Sequence, residues 1–122
     1  MLNPNTITMI TCTIAQPRYC HSSTVANDKL YIGDSVTGPV GNEIWTYDFF
    51  SLDLTKPFST SSLSDILYEM RPKVPVKSMA HTLVYAKNAK SGMIYLFGGH
   101  RQHSEGDPVY GYDLEINAWS SK

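Results

Sequence analysis

Charge and long apolar runs are scarce in this sequence. Only 17% of its 122 residues are charged and the net charge is −1, so the chain lacks the basic surface that binds nucleic acid or an anionic membrane. No apolar run approaches the roughly 20 residues that a membrane-spanning helix needs. Met1–Ile14 has no basic start and is interrupted by Asn, Thr and Pro, so it does not fit a secretory signal. We therefore expect neither nucleic acid nor a membrane segment.

Cysteine is also rare. The two cysteines, Cys12 and Cys20, lie in different predicted elements. Two reduced thiols are the favoured interpretation, and a disulfide is the alternative. A zinc site is disfavoured because the pair lacks the Cys-x-x-Cys spacing of zinc proteins.

What the sequence does contain is a pattern that occurs twice. The apolar run Met93–Phe97 ends in Gly98 and Gly99, and Val109–Leu114 and Trp119 follow it. A run that is apolar on both faces suits a strand with sheets packed on either side. The glycines that end it permit a positive φ and a close backbone approach.

A weaker copy of this pattern lies roughly 60 residues earlier. Leu30–Gly33 matches Ile94–Gly98 in residue type, and Ser51–Leu54 corresponds to Gly111–Leu114. In the first copy Asn27-Asp28 predicts a short hairpin turn between two strands. Such a unit cannot bury its faces alone, so the pattern predicts a repeat architecture built of strands.

Turn and packing residues follow the glycines of the second copy. Asp113 is expected to accept hydrogen bonds from backbone N–H groups of the turn formed by 115–117. Tyr112 and Trp119 are expected to pack between neighbouring sheets, with their polar atoms near an edge.

Histidines recur at one place in the pattern. His21 and His81 both stand at the start of a copy, so we interpret them as structural residues and not as metal ligands. The segment His100–Asp107 contains two histidines and two carboxylates, which suit several divalent ions. A solvated loop on a binding surface is the favoured interpretation, and we predict no metal and no cofactor.

The tandem unit of an apolar strand, a glycine pair, Tyr-Asp-Leu and Trp resembles the kelch repeat, one blade of a β-propeller of the galactose oxidase central-domain type. The motif residues are Gly33, Gly98, Gly99, Tyr112, Asp113 and Trp119. The resemblance covers roughly 15–121 and implies an all-β fold of antiparallel four-stranded blades.

Residues 1–14 would be a stray strand from a preceding or closing blade, 15–72 a degenerate first blade and 73–122 the second. The first copy departs from the pattern, because Asp34 replaces the second glycine and no tryptophan follows Asp53.

Two blades do not close a propeller, which needs about four to eight. We therefore expect the chain to be a piece of a larger propeller, a truncated gene product, or a subunit that completes itself by association. The remaining blades or self-association would then close the ring.

The resemblance implies a non-catalytic module that binds a protein partner, which the sequence does not identify. The loops Asp34–Glu43 and His100–Pro108 would form the binding surface, with Arg101, His103 and Glu105 as contacts.

Two alternatives are a fragment of a copper enzyme like galactose oxidase and a sugar-binding surface using Tyr110 or Trp45. The copper-binding tyrosines and histidines of the oxidase match no positions in this sequence, and neither a Gly-x-Ser-x-Gly nor a phosphate-binding glycine motif occurs. We therefore expect the chain not to be an enzyme.

Overall fold

The structure is a computed structural model that describes residues 12–13, 18–57, 68–87, 91–101 and 106–122. Every regular element in these ranges is a β-strand, which confirms the all-β prediction. The strands are β1 (Cys12–Thr13), β2 (Ser22–Ala26), β3 (Lys29–Thr37), β4 (Ile44–Asp53), β5 (Tyr68–Met70), β6 (Ser78–Met79), β7 (Thr82–Lys87), β8 (Gly92–Phe97), β9 (His100–Arg101), β10 (Val109–Asp113) and β11 (Ala118–Ser121). Within the same ranges there is no helix long and apolar enough to cross a membrane.

The strands form two main sheets and one small ribbon. The first sheet has the order β1-β5-β4-β3-β2, the second has the order β11-β10-β8-β7, and β6 pairs with β9 in the ribbon. All of these pairs are antiparallel. Each main sheet therefore contains one meander of four strands, β2 to β5 in the first and β7, β8, β10 and β11 in the second.

Short turns with specific chemistry connect the strands. Asn27 and Asp28 join β2 to β3 with φ values of 52° and 61°, which is the backbone of a two-residue hairpin turn. At the turn between β10 and β11, Asp113 Oδ1 accepts hydrogen bonds from the backbone N–H groups of Glu115 at 2.8 Å and Ile116 at 3.3 Å. A local carboxylate thus closes this turn, as expected.

The first meander departs from expectation at Gly33, where we expected the strand to end. Instead β3 continues to Thr37, with a register shift after Gly33. A Cβ on Gly33 would lie 3.0 Å from Phe49 Cδ1 and 3.4 Å from Leu83 Cδ1. This glycine therefore allows the two main sheets to approach closely and does not end the strand.

Of the stray strand expected within 1–14, only β1 lies within the described residues. It pairs with β5, Cys12 opposite Glu69, and so forms one edge of the first sheet.

The core lies between the two main sheets, which pack face to face. It consists of Ala26, Tyr31, Phe49, Val74, Val76, Leu83, Ile94, Leu96, Tyr110 and Tyr112. The Phe49 ring centroid lies 4.9 Å from those of both Tyr112 and Trp119, at edge-on angles of 70° and 66°. Such contacts between large rings contribute beyond the burial of their area.

The two meanders can be aligned by their hairpin registers. In the first hairpin Ser22 of β2 pairs with Gly33 of β3, and in the second Thr82 of β7 pairs with Phe97 of β8. Ser22 and Thr82 are the first residues of β2 and β7, the strands that begin the two meanders. By this alignment Tyr31 in β3 corresponds to Tyr95 in β8.

Corresponding residues nevertheless face opposite ways. Tyr31 belongs to the core between the sheets and is 4% exposed. In β8 the core residues are Ile94 and Leu96, so Tyr95 between them lies on the other face of its sheet. The two sheets are therefore stacked in series, the front of one against the back of the next. A two-fold axis would instead have brought identical faces together.

Candidate binding surface

The two loops in which we expected binding residues lie at the same end of the sheets. Of the first loop, Asp34–Glu43, residues 34–37 belong to β3, and the turn itself is 38–43. After β8 the chain passes through the glycine pair into β9. Trp45 lies just after the first turn, and its ring centroid is 5.8 Å from that of His100. This contact joins segments that are far apart in the sequence.

The glycine pair determines where His100 lies. Gly98 and Gly99 have φ values of 74° and 79°, a region that favours glycine. A Cβ on Gly99 would lie 2.6 Å from the carbonyl oxygen of Met79 and 2.8 Å from the Cα of His81. Only glycine therefore fits here, and it lets the chain turn from β8 into β9, where His100 pairs with Met79.

The first turn presents apolar side chains to solvent. Val40 is 91% exposed and Ile44 is 62% exposed. The Asn42 N–H donates to the Pro39 carbonyl at 2.9 Å. The Gly41 N–H donates to the Glu43 carboxylate at 2.9 Å, and this hydrogen bond lowers the pKa of Glu43. The turn thus holds an apolar tip on a backbone that is locally hydrogen-bonded.

Of the three predicted contact residues, the structure describes Arg101, and His103 and Glu105 lie outside the described residues. The Arg101 guanidinium lies over the Tyr110 ring, 5.7 Å from its centroid. The Tyr110 hydroxyl accepts a hydrogen bond from the Asp107 N–H at 2.9 Å. Arg101 is thus supported by an aromatic ring that belongs to the core.

One contact at this end was not expected from the sequence. The Lys77 ammonium lies 4.9 Å from the centroid of the Tyr47 ring, which is 39% exposed. These residues are 30 positions apart, and no local pattern links them.

We refer to 38–45, Tyr47, Lys77, 100–101 and 106–108 together as the loop surface.

His21 and His81 precede β2 and β7, but their environments differ. His21 is exposed, whereas His81 is 5% exposed. Neither ring nitrogen of His81 has a hydrogen-bond partner within the described part of the chain. Burial, with a smaller contribution from nearby His21, lowers the pKa of His81 to about 4. The Gly33 backbone opposes this shift, although it lies outside hydrogen-bonding geometry. His81 is therefore neutral at physiological pH.

The opposite end of the sheets carries a partly buried arginine. The Arg71 side chain forms an ion pair with Glu69 at 3.3 Å and donates to the Ser51 hydroxyl at 3.0 Å. It also lies 5.6 Å from the Tyr31 ring centroid. Burial raises the pKa of Tyr112 to about 12 and Arg71 opposes this shift, so the phenol remains protonated. These contacts tie the connector after β5 to the core.

Among the residues that the structure describes, no three His, Cys, Asp or Glu side chains come close enough to hold a metal ion. Cys20 is a free, exposed thiol, and the side chain of Cys12 lies outside the described residues.

Comparison with known proteins does not add a family. No protein-family model matches the chain, and no curated protein matches it.

Proposed function

We propose that the chain is a non-catalytic kelch-type module, two blades of a β-propeller, whose loop surface binds a protein partner. The Trp45–His100 contact carries the proposal, because it joins the two loops into one continuous surface. Binding residues are frequently found on loops that a rigid scaffold holds in place.

The sheet geometry supports the blade interpretation. A propeller is a circular series of four-stranded sheets that pack face to face. Two four-stranded meanders stacked in series are what two adjacent blades require. Tyr112 and Trp119, the second-copy motif residues, lie at the contact between them, against Phe49.

The composition of the loop surface favours a protein as its partner. It combines exposed apolar side chains at Val40 and Ile44 with the aromatic rings of Trp45 and Tyr47 and the cation of Arg101. Aromatic residues and arginine are the residue types enriched in binding hot spots between proteins.

The test is capture of a partner by chemical cross-linking on the purified full chain, compared across variants. We expect the double variant Arg101→Ala with His103→Ala, and separately Trp45→Ala, to lose the partner while the circular dichroism and Tm stay unchanged. The control Lys56→Ala with Glu115→Ala changes exposed turns at the opposite end and should keep the partner. Equal binding by both sets of variants would show that the loop surface is not the binding site.

A further inference from the structure

Each main sheet has a second face that points away from the shared core. On the second sheet this open face contains Val84, Met93, Tyr95, Phe97 and Val109. Val84 is 41% exposed and Phe97 is 40% exposed. On the first sheet the open face along β2 and β3 contains Ser23, Val25, Leu30 and Ile32. Val25 is 53% exposed. Both faces thus expose apolar side chains, in the first sheet only along β2 and β3, since Phe50 and Leu52 of β4 on the same face are already buried within the chain.

These two open faces correspond to the two faces that already pack against each other. By the hairpin alignment, Tyr95 and Phe97 correspond to Tyr31 and Gly33 on the covered face of the first sheet. Leu30 and Ile32 likewise correspond to the core residues Ile94 and Leu96 of the second sheet. The contact within the chain is therefore a template for a contact between the open faces.

Side-chain volume is complementary in this second contact. Within the chain, Gly33 faces Leu83, since a Cβ on the glycine would lie 3.4 Å from Leu83 Cδ1. The corresponding residues on the open faces are Phe97 and Ser23. The large and the small partner have exchanged sides, so one bulky and one small side chain would again meet between the sheets. Close packing between sheets depends on such matching of volumes.

We propose that the open face of the second sheet binds the open face of the first sheet on a second copy of this chain, head to tail. The proposal rests on the blade interpretation given above but does not involve the loop surface. Such a contact is heterologous, so repeated association produces a ring if the rotation closes and a filament if it does not.

Light scattering on the purified full chain tests the proposal. We expect the wild type to have at least twice the monomer mass of 13.6 kDa, over protein concentrations of about 1 µM to 1 mM. Val25→Lys and Phe97→Lys should each be monomeric, because each places a charge on one of the two faces. The control Ile116→Lys changes an apolar side chain that is 69% exposed in a turn outside both faces, and it should keep the wild-type mass.

Mixing the two monomeric variants identifies the geometry. Val25→Lys keeps the open face of its second sheet and Phe97→Lys keeps the open face of its first sheet. We expect a 1:1 mixture to form a heterodimer, which also shows that both variants are folded. A monomeric wild type would overturn the proposal and favour a sheet from another part of a longer protein as the occupant. A Val25→Lys variant that still self-associates would overturn it in favour of contact between identical faces.

Failure of this proposal can be distinguished from failure of the proposed function. Arg101 lies on the loop surface, so Arg101→Ala should leave the mass of the assembly unchanged. Loss of partner capture with an intact assembly would therefore concern the loop surface alone, and the reverse result would concern the open faces alone.

Discussion

Tyr31 and Tyr95 occupy corresponding positions in the two hairpins but lie on opposite sides of their sheets with respect to the core. Tyr31 is buried between the sheets with its ring centroid 5.7 Å from that of Phe49. Tyr95 lies on the face opposite the core residues Ile94 and Leu96. This relationship shows that the two sheets are stacked in series, which leaves each sheet with one face outside the shared core.

Stability should depend on pH through His81. Its pKa is about 4 in the folded chain and 6.5 in the unfolded chain, so between these values the unfolded chain binds the additional proton. The contribution of neutral His81 to stability is complete above pH 6.5. The free energy of unfolding should fall by about 3 kcal/mol as the pH drops from there through 4. Urea unfolding at a series of pH values measures this loss.

Two variants isolate the histidine from the carboxylates, which also titrate in this range. His81→Phe should show a smaller loss of stability on acidification than the wild type. His21→Phe changes the exposed histidine at the corresponding position and should retain most of the wild-type pH dependence. Identical pH profiles for His81→Phe and the wild type would contradict the assignment.

The two glycines after β8 should differ in their tolerance of alanine. Both have a positive φ, but a Cβ on Gly98 would meet nothing within 4 Å, whereas one on Gly99 would meet backbone atoms of Met79 and His81. Gly98→Ala should cost about 1 kcal/mol from backbone strain alone. Gly99→Ala should cost about 3 kcal/mol because the β9 backbone must also move. Thermal and urea unfolding of the two variants give the comparison, and equal costs would contradict it.

Glu69 has two basic partners that should contribute unequally. Arg71 lies 3.3 Å from the Glu69 carboxylate with a side chain that is 10% exposed, and Lys29 lies 3.9 Å away with a side chain that is 35% exposed. Arg71→Met should cost about 2 kcal/mol, because it also removes the hydrogen bond to Ser51 and the contact with Tyr31. Lys29→Met should cost less than about 0.5 kcal/mol, as exposed ion pairs do.

Urea unfolding measures both costs, and an unchanged m value would show that the variants change stability without changing the surface exposed on unfolding. A Lys29→Met cost that equals or exceeds that of Arg71→Met would contradict this prediction.

Features that depend on neighbouring residues could be predicted from the sequence. The turn at Asn27-Asp28 and the hydrogen bonds of Asp113 depend on a few adjacent residues, so their residue types are sufficient evidence. The extension of β3 beyond Gly33 was not predicted. A glycine that ends a strand and one that permits close approach of a second sheet look the same in a sequence.

The loop surface and the histidines show the same limit. The Trp45–His100 contact depends on the ribbon of β6 and β9, which joins segments that are distant in the chain. His21 and His81 have matching places in the sequence, and only packing makes one exposed and the other buried.

The sequence by itself determined the all-β class and the positions of the hairpin turns, because alternation and turn chemistry act over a few residues. The tertiary structure decided which face of each sheet is buried, which histidine is neutral and which loops meet. These features arise from contacts between residues far apart in the chain, whose geometry no local pattern of residue types specifies.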